Sequence, residues 1–296
     1  MKKYLIFRSD RIGDFLLTAI LIKSIKRNNP DSHITIVGST KNYTYIKSFH
    51  NVDQVFLLKN HFFYKIKFIL KMRKYSYDYI IVHDEKNRSL LLSKFCNYKT
   101  RVVIDETSNF SYIDKIKKIL SILNYDFIEQ DLDFLNNRNY LNNKVNKEFT
   151  LFHFDEKWIF NDYITSYKNI EPSEYQLKKF VESIYLKTNK NLIITTGIKT
   201  PPKLNNVIKD INNSNITLLS NITFNDLESL VVKSCLVISC HGAISHIASA
   251  KNIRQIDIID FKKLEFYRLW TRHFRNHNFV YRKNFDELAN DIYKLL

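Results

Sequence analysis

Short runs of β-branched and aromatic residues alternate along the chain with longer segments of helical character. The short runs predict strands at residues 4–7, 33–38, 54–58, 78–84, 100–104, 149–154, 191–197, 216–219, 236–239 and 255–259. The segments between them predict helices at residues 15–25, 42–49, 86–95, 111–123, 174–186, 207–211 and 286–296. Strands that alternate with helices at this spacing indicate βαβ units, and therefore parallel sheets with right-handed crossovers.

One stretch in the middle of the chain breaks the alternation. Residues 135–148 are polar and rich in Asn, and they have neither helical nor strand periodicity. We interpret them as a linker, which predicts an α/β fold of two Rossmann-like domains, residues 1–145 and 146–296. The last helix could pack back on the first domain. Because open parallel sheets bind ligands beyond the carboxyl ends of their strands, we expect the two sheet edges to face a central cleft.

The turn after the first predicted strand is rich in charged residues. It reads Arg8-Ser9-Asp10-Arg11-Ile12-Gly13-Asp14, which places two arginines and two carboxylates at the ligand-binding edge. Gly13 is expected to allow a tight turn, and Asp14 stands where a helix begins, so its carboxylate can cap free N–H groups. A helix cap with solvated arginines and a ligand site both stay open from these residues alone. The turn has the spacing of neither the dinucleotide-binding nor the P-loop motif.

Two later strand ends carry further candidate site residues. The predicted strand 78–84 ends in His83 and Asp84, which would lie near Asp14 in a parallel sheet. The predicted strand 236–239 leads into Cys240-His241-Gly242-Ala243-Ile244-Ser245-His246. Small residues at such a turn let the backbone approach a ligand, and the N–H groups at a helix start bind phosphate.

The chain of 296 residues has a formal net charge of +16. This charge concerns partners rather than fold, and it admits nucleic acid, an anionic membrane surface or phosphorylated substrates. Because the basic residues are spread along the chain without a nucleic-acid-binding signature, no specific nucleic acid is expected. Residues 62–77 form a basic amphipathic segment with Phe62, Ile66, Ile69, Leu70 and Arg73 at helical spacing. It is typical of a helix lying on an anionic bilayer, or of an ordinary crossover helix with solvated lysines.

The cysteines and the chain start bear on the compartment. Three cysteines, an odd number without metal-ligand spacing, favour a reducing compartment and no metal site. The first residues lead straight into a short strand without the pattern of a signal peptide, and no apolar run reaches the roughly 18 residues of a membrane span. We therefore expect a cytoplasmic protein.

Two motifs together resemble those of the heptosyltransferase family, glycosyltransferase family 9. Residues 8–14 resemble its N-terminal R-x-x-x-x-G-D turn, and residues 238–250 resemble its C-terminal D-(T/G)-G-x-x-H-x-A-A loop, in the same order and at a similar separation. The resemblance implies a GT-B fold and an inverting, metal-independent transferase that builds lipopolysaccharide or a related surface glycan. It also implies a glycan or glycolipid acceptor and a position on the inner face of the cytoplasmic membrane, held there through basic residues. The co-substrate would be a nucleotide sugar, with ADP as the family default, and no other cofactor would be needed.

The resemblance also assigns roles to single residues. Asp14 matches the general base that takes the acceptor proton. The donor-binding set would comprise Gly13, Lys157, His241, Gly242, Ala243, Ser245 and His246. The acceptor-binding set would comprise Arg8, Asp10, Arg11 and His83.

The sequence departs from the family pattern at three places. His241 stands where the family has Asp, and Ala243 stands where it has a second Gly. After Gly197 the chain reads Ile-Lys-Thr-Pro-Pro rather than supplying an acidic residue for the ribose, so another base or a CMP-sugar stays open. Two other hypotheses also stay open, a non-catalytic basic protein that binds nucleic acid or anionic membrane and a transferase fold that has lost its chemistry.

Overall fold

A computed structural model of the chain describes residues 1–104, 110–135, 148–159, 170–197 and 200–296. Contacts divide the chain into two compact units, Met1–Arg138 with Arg268–His273 and Asn139–Tyr267 with Phe274–Leu296. Most of the segment interpreted as a linker, residues 136–147, lies outside the described residues. The predicted α/β class with two parallel sheets is confirmed.

The first unit contains one five-stranded parallel sheet in the order β3-β2-β1-β4-β5. Its strands are β1 Lys3–Phe7, β2 His33–Gly38, β3 Gln54–Leu57, β4 Ser76–Val82 and β5 Asn97–Val103. Its helices are α1 Ile12–Asn28, α2 Tyr43–Lys47, α3 Phe62–Met72, α4 Asn87–Ser93 and α5 Tyr112–Ile122. The strand order reverses direction between β1 and β4, and ligands of open α/β sheets bind at such a switch point.

The second unit contains a six-stranded parallel sheet in the order β11-β10-β9-β6-β7-β8. Its strands are β6 Phe149–Phe154, β7 Asn191–Thr196, β8 Ile216–Leu219, β9 Leu236–Cys240, β10 Arg254–Ile259 and β11 His277–Tyr281. The helices after β6 are α6 Glu156–Ile159, α7 Glu174–Thr188, α8 Pro202–Ile211, α9 Phe224–Lys233, α10 Ala243–Ala250, α11 Leu264–Thr271 and α12 Phe285–Lys294. The second half of α11, from Arg268, is assigned to the first unit. Here the order reverses between β6 and β9.

The central strands are mostly apolar and buried, as expected for a parallel sheet that helices cover on both faces. All six residues of β6 are buried, as are Tyr4 to Phe7 of β1. In the second unit Trp158 packs against Phe152, Phe154 and Phe180. This core fixes the carboxyl ends of the central strands, where the candidate site residues lie.

Several elements differ from the sequence expectations. The amphipathic segment 62–77 is helical only to Met72, and β4 begins at Ser76 because Tyr77 packs into the sheet core. Neither α11 nor β11 was predicted from the sequence. The last helix packs on α7 with its apolar side chains in the core of the second unit, rather than on the first domain. Among the described residues, no helix has the length and apolar character that a membrane crossing requires.

Candidate functional site

The turn after β1 is made by Ser9 to Arg11, and α1 begins at Ile12. Gly13 therefore lies inside the first helical turn, and no described glycine has a positive φ. Arg11, which precedes the helix, has extended backbone angles that any residue can adopt, φ −104° and ψ 174°. The expectation that Gly13 makes a tight turn is thus wrong.

Arg8 is buried, with a relative exposure of 2%, so the alternative that both arginines are solvated is wrong for it. Its Nε donates to the carbonyl oxygen of Asp14 at 2.8 Å, and its Nη1 donates to the carbonyl oxygen of His83 at 2.5 Å. Its Nη2 is buried and has no hydrogen-bond partner among the described residues. Arg8 thus joins the starts of both loops at the switch point and keeps one donor for an anion. Arg11 is exposed.

Asp14 caps α1, since its Oδ2 accepts the backbone N–H of Arg11 at 3.0 Å. Its second carboxylate oxygen has no hydrogen-bond partner among the described residues, so the cap leaves one oxygen available. Asp10 is mostly buried, and its Oδ1 lies 3.5 Å from Nε of Arg8. Burial raises the pKa of Asp10 to about 6, with Asp14 raising it further and Arg8 opposing both. The turn therefore carries two carboxyl groups in different environments.

His83 follows β4 and reaches the same turn because β4 pairs with β1. Its Nδ1 is hydrogen-bonded to Oγ1 of Thr18 at 2.8 Å, and its Nε2 is buried without a partner in the described ranges. Burial, with the nearby cations Arg8 and Lys115, lowers the pKa of His83 well below its usual range. The ring is therefore neutral at pH 7.

Asp84 is an anchor of this turn whose partners the sequence did not show. Its Oδ2 accepts the backbone N–H of Ser9 at 2.9 Å, the hydroxyl of Ser9 at 2.6 Å and the hydroxyl of Ser89 at 2.7 Å. Arg88 Nη2 donates to Ser9 Oγ at 2.7 Å, and Lys86 Nζ donates to the Ser9 carbonyl at 3.1 Å. The turn is thus held in place and surrounded by cations.

In the second unit, Lys157 follows β6 and reaches the loop after β9. Its Nζ donates to the carbonyl oxygen of His241 at 3.0 Å and lies 3.0 Å from Oδ2 of Asp155. A Cβ atom at position 242 would lie 2.6 Å from this Nζ, so any other residue there would displace the ammonium group from its present position. The structure therefore brings together Lys157, His241 and Gly242, as the resemblance implies.

A buried carboxylate on β10, Asp257, organises the same loop. It accepts from His241 Nδ1 at 2.6 Å, from His277 Nε2 at 3.1 Å and from Ser245 Oγ at 2.6 Å. Burial alone would raise the pKa of Asp257, but His241 and His277 lower it well below its usual range. The carboxylate is thus ionised and orients the His241 ring.

Of the other loop residues named from the sequence, Ser245 and His246 are buried and Ala243 is half-buried. The hydroxyl of Ser245 also accepts the backbone N–H of Gly242 at 3.2 Å, so Ser245 shapes the loop. His246 is buried in α10, with its ring centroid 5.7 Å from that of His241 and 5.0 Å from that of Phe274. Ala243 is the first residue of α10, where a helix start presents N–H groups.

Two further charged residues lie at the carboxyl edge of this sheet. Arg282, just after β11, donates from Nη2 to the carbonyl oxygen of Lys157 and from Nη1 to Cys240 Sγ at 3.4 Å. The carboxylate of Glu156 occupies the space where a side chain at Gly197 would begin. Residues 198–199, where the family would supply an acidic group, lie outside the described residues.

No group of three or more His, Cys, Asp or Glu side chains in the described ranges is placed to hold a metal ion. Both clusters are instead built from hydrogen-bonded ions at the switch point of a parallel sheet. This arrangement suits the binding of anionic or hydroxyl-rich ligands.

No protein-family model and no curated protein sequence matches this chain. Solved structures do match it. The Escherichia coli heptosyltransferase WaaC, with ADP-2-deoxy-2-fluoro heptose, has a TM-score of 0.70 and 12% identity over 99% of this chain and 98% of that one. The E. coli ADP-heptose lipopolysaccharide heptosyltransferase II has a TM-score of 0.67 and 12% identity, over 100% and 98% of the two chains. A glycosyltransferase family 9 protein from Veillonella parvula has a TM-score of 0.67 and 11% identity, over 100% and 90%.

The chain has the GT-B fold. The resemblance drawn from two short motifs is therefore confirmed at the level of fold over essentially the whole chain. At this low identity the likeness carries no residue roles. The roles of Asp14, Lys157, His241 and the other candidate residues stay predictions.

Proposed function

We propose that this protein is an inverting glycosyltransferase that moves a heptose from ADP-heptose to a lipopolysaccharide-type acceptor. The supporting observation is the structural match of 99% or more of this chain to heptosyltransferases, one of them bound to an ADP-heptose analogue. The charged turns at the two switch points agree with this chemistry.

The first unit would bind the acceptor and supply the base. The free carboxylate oxygen of Asp14 accepts the proton of the acceptor hydroxyl, whose oxygen attacks the anomeric carbon of the donor. The bond from that carbon to the diphosphate breaks on the opposite face, so the configuration inverts. Arg8, through its unpartnered Nη2, and Arg11 bind phosphate groups of the acceptor, while Asp10 and His83 complete its surroundings.

The second unit would bind the nucleotide sugar. Lys157 and Arg282 place two cations beside the His241–Gly242 loop, and the start of α10 adds backbone N–H groups. These groups stabilise the negative charge that develops on the departing diphosphate. Glu156, beside Gly197, is positioned to hold the ribose hydroxyls in place of the family's acidic residue. Metal independence is part of this proposal.

The test is release of ADP from ADP-heptose by the purified protein, with and without a lipopolysaccharide core acceptor, in the presence of EDTA. We expect acceptor-dependent release that Asp14→Asn lowers by about 10²-fold or more, because general-base catalysis contributes on the order of 10²–10⁴-fold. Asp31→Asn, at an exposed carboxylate elsewhere in the unit, is the matched control. No turnover with a panel of nucleotide sugars and acceptors would reject the enzyme. Equal activity of Asp14→Asn would reject the base.

A further inference from the structure

The crossover helix α3 exposes a second apolar face. Phe68 and Met72 pack it against the sheet. On the opposite side Phe62, Ile66 and Leu70 repeat every four residues, so they form one stripe along the helix. They are 66%, 41% and 59% exposed, and the neighbouring Phe63 is 71% exposed.

The charged residues near this stripe in the sequence are all basic. From residue 54 to residue 77 the chain contains no Asp or Glu. It contains six basic residues: Lys59, Lys65, Lys67, Lys71, Arg73 and Lys74. Most of these side chains are exposed. The apolar stripe is therefore bordered by cations.

This combination matches an anionic bilayer better than other occupants. An interfacial helix buries its aromatic and aliphatic side chains among lipid headgroups, and its lysines meet anionic lipids. Single-stranded nucleic acid would need aromatic planes along the whole stripe, but Ile66 and Leu70 offer none. A protein groove would not explain why every charge from residue 54 to residue 77 is positive.

The start of α3 is also joined to the candidate acceptor turn. Arg88 donates from Nη1 to Asn60 Oδ1 and from Nη2 to Ser9 Oγ. Because α3 follows the carboxyl end of β3, Phe62 and Phe63 lie on the same edge of the parallel sheet as that turn.

We propose that the α3 stripe, Phe62, Phe63, Ile66 and Leu70 with its bordering lysines, docks the protein on bilayers that carry anionic lipids. The docking needs neither the donor nor catalysis, so it stands apart from the proposed function. Each aromatic ring that enters the headgroup region and each lysine that meets an anionic lipid adds to the free energy of binding the bilayer.

The test is co-sedimentation of the full chain with vesicles of phosphatidylcholine containing phosphatidylglycerol, and with pure phosphatidylcholine, at two salt concentrations. The double variant Phe62→Ser with Phe63→Ser is expected to lower binding by about tenfold or more. Lys67→Glu is expected to lower it by about fivefold or more. The matched controls lie in the second unit: Tyr175→Ser with Leu186→Ser, at side chains 75% and 73% exposed, and Lys209→Glu.

Binding only to the anionic vesicles, lost in the α3 variants and kept in the controls, supports the proposal. Thermal unfolding checks that the variants stay folded, and they should, because these side chains face solvent. No binding by the wild type overturns the proposal, and so does equal loss in the control variants, which would reflect the general positive charge. Competition by single-stranded RNA that depends on Phe62 and Phe63, without lipid binding, also overturns it. Because no nucleotide sugar is present, the result is independent of whether the transferase proposal succeeds.

Discussion

Asp10 offers a prediction whose size can be worked from the structure. It is an aspartate with little contact to solvent, 3.5 Å from the buried Arg8. Burial outweighs this ion pair and raises its pKa from 3.8 to about 6. The folded state therefore holds a proton that the unfolded chain releases at lower pH. A carboxyl group whose pKa is raised by folding therefore lowers the stability at neutral pH, because stability falls as the pH rises from the pKa in the unfolded chain to the pKa in the folded protein.

The magnitude follows from linkage. A difference of about two pKa units corresponds to roughly 3 kcal/mol of lost stability at neutral pH. About 1.4 kcal/mol of that loss falls between pH 5 and pH 7.5, by the same relation. Asp10→Asn cannot ionise, so it escapes this loss. Relative to the wild type, its free energy of unfolding should rise by that amount across the interval.

The assay is urea unfolding of the wild type and of Asp10→Asn at several pH values. The quantity to follow is how the difference in free energy of unfolding between the two proteins changes with pH. Asp10→Asn also removes the carboxylate that pairs with Arg8, but this cost adds the same amount at every pH. Asp31→Asn, at an exposed carboxylate, should show a flat difference. A flat difference for Asp10→Asn, or one that falls as the pH rises, would show that the ion pair outweighs burial and would refute the reasoning.

Three further changes test the second unit. Asp257→Asn should destabilise the fold by about 1–3 kcal/mol, since it weakens buried hydrogen bonds to two imidazoles, and differential scanning calorimetry would measure the loss. The lowered pKa of Asp257 gives stability that is lost as the pH falls, so the variant should lose less stability than the wild type on acidification. An unchanged acid profile would contradict this. Lys157→Ala removes the ammonium group beside the His241–Gly242 loop, so calorimetric titration should show at least about tenfold weaker ADP binding if a lost charge contact is worth about 1.5–3 kcal/mol. Unchanged binding would remove Lys157 from the donor site. Trp158→Ala should cost about 3–5 kcal/mol of unfolding free energy because the ring fills the second core, and a loss under 1 kcal/mol on urea unfolding would contradict the packing.

The alternation of short apolar runs with helical segments was enough to predict most strands, because each central strand is mostly apolar along its length. It was not enough for β11, whose first residues, His277 and Asn278, are polar and only partly buried. The periodicity of α3 predicted a stripe that includes Phe62, Ile66 and Leu70, but it left open whether these side chains are buried or, as the structure has them, exposed. Helical spacing identifies a stripe but does not say what covers it.

The candidate site also combines residues that could be predicted from the sequence with contacts that could not. Residues adjacent in sequence to a strand end, such as Asp14 and His241, could be named from motif and position. The sequence placed Asp84 near Asp14, but it could not show that Asp84 bonds Ser9 or that Asp257 bonds His241. Both carboxylates reach these loops through the pairing of β1 with β4 and of β9 with β10. A strand order is a long-range property, and local patterns do not encode it. The burial of Arg8 is likewise a consequence of that order.

The most direct test of the central claim is mass spectrometry and NMR of the acceptor after incubation with the protein and ADP-heptose. The proposal predicts that the acceptor gains one heptose, joined with the anomeric configuration opposite to that in the donor. It also predicts that Asp14→Asn forms this product at least about 10²-fold more slowly. An acceptor that stays unmodified by the wild type under conditions where a known heptosyltransferase modifies it would contradict the claim. A product with retained configuration would contradict the mechanism assigned to Asp14.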